Sequence, residues 1–220
     1  MAKRRTSGIQ RRQRASTEAL SRRVDTSARA GLPLDWRILL IGGVLLIGAI
    51  ILVVVLVVGA GPNPYGGVRQ AFAGQTHVSP GTDVRATQPG AYTSLPATSG
   101  PHWEQSAIAN WGVYTAPLPE SQVVHNLEHG GIVIWYQEGQ VADGDIARLA
   151  DYVEGQVAQG IGGRFKFILS PWGGEDFGHP IAVTAWEFLL YLDTADLDAI
   201  RGFADAHYGD APEPNGGPAP

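Results

Sequence analysis

Residues 38–58 read ILLIGGVLLIGAIILVVVLVV, 21 consecutive positions without a charge or a strong polar group. As a helix this run is about 31 Å long, close to the hydrocarbon thickness of a bilayer. A core helix of that length shows a polar face, and this one has none. A signal peptide has a shorter apolar region behind a short basic start, whereas here the start is 37 residues long. The run predicts a single transmembrane helix, with the lipid bilayer as its partner.

Orientation follows from the flank. Residues 1–37 hold ten Lys and Arg against Glu18, Asp25 and Asp35. Basic segments stay on the cytoplasmic side, so the N-terminus is expected inside the cell membrane and residues 59–220 outside. The whole chain carries −5, so its outer part is strongly acidic. The basic tail reads as a topology signal that touches anionic lipid, and no nucleic acid is expected. There is no cysteine, and Met1 is the sole methionine. That excludes disulfides, thiol nucleophiles and sulfur-held copper or iron–sulfur centres.

Beyond the apolar run, residues 59–69 read as a Gly- and Pro-punctuated linker. Residues 70–210 read as one extracytoplasmic domain, and 211–220, poor in apolar residues, as a disordered tail. Pro119 suits a helix start and Gly130–Gly131 a stop, which predicts a helix over 119–129. A strand over 132–136, a helix over 144–158, a strand over 164–169, a strand or bent strand pair over 181–192 and a last helix to about 207 follow. The stripe Ile146, Leu149, Val153 and Val157 faces inward. This order predicts an α+β fold, a small and mainly antiparallel sheet with helices packed on one face.

The chemistry concentrates in VVHNLEHGGIVIWY, residues 123–136. On a helix His125 and His129 leave one face, with Glu128 at its border. Two imidazoles so placed can bind one metal ion. His102, on the proline-stiffened LPATSGPHW loop, and His77 can add further nitrogens. Such a set suits a divalent cation, zinc or cupric copper. His125 to His129 also fits H-x-x-E-H, the inverted zinc-peptidase pattern, in which Glu128 would be the catalytic base. Glu187 is then the attractive downstream acidic ligand. The plain alternative is a buried hydrogen-bond network through the same side chains. His179 reads as a loop residue, and His207 as a ring at the negative end of a helix.

TSGPHW (98–103), GVY (112–114), VVHNLEHGGIVIWY (123–136), VTAW (183–186) and PEP (212–214) together resemble the domain-of-unknown-function 3105 family, over about residues 70–214. The resemblance implies a bacterial membrane-anchored or exported protein. It places His77, His102, His125, Glu128 and His129 on shared motif positions, and it implies no activity. Three functions stay open: a metal-binding outer domain without turnover, a zinc hydrolase, and a metal-free envelope module that binds a protein partner. In the last, Trp103, Trp111, Trp135, Trp172 and Trp186 would offer the surface.

Overall fold

The structure is a computed structural model, and it describes residues 43–50 and 64–220. The basic tail, most of the expected membrane span and the start of the linker lie outside the described residues. Within the apolar run, residues 43–50 are helical, and Val44, Leu45, Leu46 and Ile47 are exposed. Among the described residues no helix is long and apolar enough to cross a membrane. Residues 62–220 form a separate compact unit.

The centre of that unit is strand β5 (Ile132–Tyr136), whose five residues are all buried. Its side chains alternate. Ile132, Ile134 and Tyr136 point to one apolar cluster, and Val133 and Trp135 to another. A strand that is apolar on both faces must be covered on both. The helices do so. α3 (Asp143–Val157) and α4 (Leu197–His207) cover the first face with Leu149, Val153, Ile200 and Phe203. α2 (Glu120–Glu128) covers the second with Val123, Val124 and Leu127. The expectation of helices on one face is therefore corrected. The signal was present in IVIWY, which has no polar residue at either parity.

The sheet order is β1-β8-β7-β5-β6-β4, with β1 at Val68–Arg69, β4 at Gly112–Val113, β6 at Phe167–Pro171, β7 at Ile181–Ala185 and β8 at Phe188–Leu192. The β1–β8, β8–β7 and β7–β5 pairs are antiparallel, so the sheet is mainly antiparallel. The β5–β6 and β6–β4 pairs are parallel. Parallel neighbours need a long crossover, and α3 supplies it between β5 and β6. Val68 and Arg69, expected in the linker, are paired with Leu189 and Phe188.

Residues 181–192 form the bent strand pair, turning at Trp186 and Glu187. Glu187 adopts φ 62°. Its N–H donates to Thr98 O, its carbonyl accepts from Gln70 N, and its carboxylate binds Arg69. Three ties hold a left-handed conformation that a non-glycine residue rarely adopts. The last helix, α4, begins at Leu197. Asp196 caps it, its carboxylate accepting from Asp198 N and Ala199 N at 3.0 Å each.

α2 ends in a Schellman turn. Gly130 N–H donates to Leu127 O and Gly131 N–H to Asn126 O. Gly130 sits at φ 77°, and a Cβ there would stand 2.6 Å from Gly209 Cα. Only glycine meets both demands.

Candidate metal centre

A second, two-residue sheet sets the site. β2 (His77–Val78) runs parallel to β3 (His102–Trp103), with His77 opposite His102. β3 is held to the preceding strand by His102 N–H donating to Thr76 O and Glu104 N–H to Val78 O. Gly100 makes the bend before it at φ 119°, in a space that the Tyr92 ring closes to any Cβ. A short 3-10 turn (Gln105–Ala107) then carries the chain over the end of α2. Gln122 Nε2 donates to Ala107 O, and Asn126 Nδ2 to Ala109 O, which pins this turn to the helix.

His77, His102, His125 and Glu128 converge. Each offers one ligand atom, and these atoms lie within 4.8 Å of one another. His102, His125 and Glu128 are buried, while the His77 side chain is 48 % exposed. Four donors about 2.1 Å from one ion in a tetrahedron stand about 3.4 Å apart.

The tautomers are fixed by the backbone. His102 Nδ1–H donates to Gly100 O at 2.8 Å, His125 Nδ1–H to Trp103 O at 2.5 Å, and His129 Nδ1–H to Glu213 O at 2.9 Å. A carbonyl only accepts, so each of these rings turns the lone pair of Nε2 toward the site. Metal-bound histidines are oriented in this manner.

One contact dominates the electrostatics of the site. His102 Nε2 stands 3.0 Å from Glu128 Oε2. Burial holds the His102 ring well below its ordinary 6.5, at about 4. Burial thus disfavours an imidazolium–carboxylate pair here. Burial, and then the Glu213 charge, push the Glu128 carboxyl up. With a neutral ring, Nε2 and Oε2 are two acceptors facing one another, and a proton or a cation between them satisfies both.

His129 lies one step out and is not a member of the converging group. Its Nε2 and that of His125 face Gln105 Oε1 at 3.3 and 3.1 Å. Glu187 is committed to Arg69 and is absent from the group as well. His179 pairs with Asp193 on an exposed loop, and His207 Nε2–H holds Gly66 O. Trp111, Trp135, Trp172 and Trp186 are buried in the core rather than arrayed on a surface. Trp103 is half-buried and lines a cleft of about 680 Å³ together with Arg85, Glu120 and Trp172.

Sequence reasoning missed the roof of the site. Residues 211–220, expected to be disordered, form a strap. Glu213 N–H donates to Glu128 O, and Trp111 Nε1–H to Pro218 O. Gly216 lies against the His129 ring, where a Cβ would come within 2.2 Å of it. Buried Lys166 fastens the strap, donating through Nζ to Pro214 O, Gly216 O and His129 O. A lone lysine inside RFKFIL was the available signal.

Burial also lowers His125 to about 4. Both folded rings stay neutral, while the unfolded chain takes up protons near 6.5. Stability from these two rings is full above pH 6.5 and is lost as pH falls toward about 4. Glu128, with its raised pKa, works in the opposite sense, one group against two. The metal-free chain is expected to unfold at a lower urea midpoint at pH 5 than at pH 7.5. The drop should be smaller in His125→Gln, and an equal drop in both chains would contradict this account.

No curated protein and no solved structure matches the chain. Residues 83–219 match a family described as "Protein of unknown function (DUF3105)". The matched span takes in His102, His125, Glu128, His129 and the strap, and begins after His77. The match covers more than half of the chain, which therefore belongs to the DUF3105 family.

Proposed function

We propose that residues 62–220 are a metal-binding domain that holds a divalent cation, zinc or cupric copper, through His77, His102, His125 and Glu128. The observation that carries this reading is the convergence of their four ligand atoms, three of them on buried side chains. The donor set fits such an ion: imidazole nitrogens suit zinc and copper, and the carboxylate offsets the charge. The Nδ1 bonds to Gly100 O and Trp103 O leave the ring nitrogens of His102 and His125 ready to bind without rotation of the tautomer. In this reading Glu128 is a ligand rather than a catalytic base. His77, on a short strand and half in solvent, is the ligand that lets the ion enter and leave. The chain is held at the cell membrane by residues 38–58, with the basic tail inside and the domain outside, where it can also meet a partner protein of the envelope.

The test uses the full chain in detergent, stripped with a chelator, reloaded with zinc or cupric ion and analysed by mass spectrometry. Bound metal is expected in the parent and lost in His102→Ala and His125→Ala, both of which should still unfold cooperatively. A parent that takes up no metal under any loading would sink the proposal.

A further inference from the structure

We infer that the cluster holds two cations rather than one: the first on His77, His102 and Glu128, the second on His125, His129 and Gln105. This rests on the metal-binding reading above but hands His125 to a second ion, so that His102→Ala and His125→Ala each lose one of two ions instead of all bound metal.

One imidazole nitrogen binds one metal ion, and Nδ1 of His102, His125 and His129 is already spent on a backbone carbonyl. Each of these rings has a single nitrogen left to give. The short contacts then divide the donors into two triads. In one, Glu128 Oε2 lies 3.0 Å from His102 Nε2 and 3.7 Å from His77 Nε2. In the other, Gln105 Oε1 lies 3.1 Å from His125 Nε2 and 3.3 Å from His129 Nε2. The first set straddles the roughly 3.4 Å edge of a tetrahedron of ligands about 2.1 Å from a metal, and the second lies just below it.

The second triad is built, not incidental. His125 and His129 are an i, i+4 pair on α2 with ring centroids 4.9 Å apart. Their carbonyl partners come from different elements, Trp103 on β3 and Glu213 on the strap, yet both turn Nε2 to the same point. Gln105 reaches that point from the pinned 3-10 turn and is exposed, so solvent can complete the coordination. Histidine, histidine and an amide oxygen form a neutral set. The second ion is therefore the weaker one, its charge balanced by Glu128 and by the exposed Glu213 carboxylate 3.9 Å from His129 Nδ1.

Cupric ion is the probe. The stripped full chain in detergent is titrated by equilibrium dialysis and followed by electron paramagnetic resonance. Two ions per chain are expected. The second equivalent should broaden the signal of the first and bring a half-field line, as neighbouring cupric ions do. His129→Gln keeps an N–H for Glu213 O but removes the imidazole, and should hold one ion with no half-field line. Gln105→Ala, on an exposed turn, should bind the second ion at least tenfold more weakly with the first unchanged. One ion in the parent overturns the second position and leaves the first reading standing, with the Gln105 amide then donating to both rings. Two ions held with unchanged affinity in both variants also overturns it. No ion in the parent overturns both readings.

Discussion

Lys166→Met is expected to destabilise the domain by about 3 kcal/mol or more and to release the strap. Lys166 lies on the approach to β6 and is buried, and burial lowers its pKa. All three of its ammonium hydrogens are used, on His129 O at 2.9 Å, Pro214 O at 2.6 Å and Gly216 O at 3.1 Å. Bonds from a charged donor contribute about 1.5–3 kcal/mol each. Methionine keeps the length and apolar stem but donates nothing. The two strap carbonyls can swing out to water, whereas His129 O is left buried without this donor. The expected outcome is a lower urea midpoint at an unchanged slope, with faster amide exchange at residues 213 and 216. Unaltered exchange there would show that the strap is held by something other than this ammonium.

Gly130→Ala is expected to cost about as much, for a different reason. The added methyl would stand 2.6 Å from Gly209 Cα and 3.1 Å from Gly209 N, and backbone cannot rotate aside as a side chain can. Moving it breaks the Gly209 N–H to Gly130 O bond of 2.9 Å. The left-handed φ adds about 1 kcal/mol for any L side chain. Gly139→Ala isolates that last contribution, because Gly139 has φ 76° and nothing within 4 Å of its would-be Cβ. About 3 kcal/mol at 130 and about 1 kcal/mol at 139 are therefore expected by chemical denaturation. Equal losses at the two sites would mean that the close approach to Gly209 costs nothing.

Much of this architecture is legible in residues 119–207. Pro119 and Gly130–Gly131 bracket α2 within a residue, and IVIWY, β-branched and aromatic directly after a double glycine, reads as a strand. The stripe of α3 is readable too, with Leu149 and Val153 buried and Ile146 and Val157 at its edges. The site was half legible. His125 and Glu128 share a helix face by spacing alone, and His102 stood out on its stiff loop. Nothing local places His77 beside His102, since that pairing is made by two-residue strands without a periodic signal. His129, which spacing puts with His125, falls outside the converging group, and nothing local marks it as the outer ring of the two. The strap itself was illegible by composition. PEPNGGP has almost nothing to bury, and it is held by backbone carbonyls and one distant lysine, which leave no mark on the segment's own residues.

The pairing of β2 with β3 makes the donors of one cluster neighbours although they are scattered along the chain from residue 77 to residue 128. In an unfolded chain they do not meet. Occupancy and folding would then be coupled by mass action: free ion at one hundred times its dissociation constant adds about 2.7 kcal/mol to the folded state. Scarcity of the ion in the surroundings would lower the melting temperature without altering a single residue.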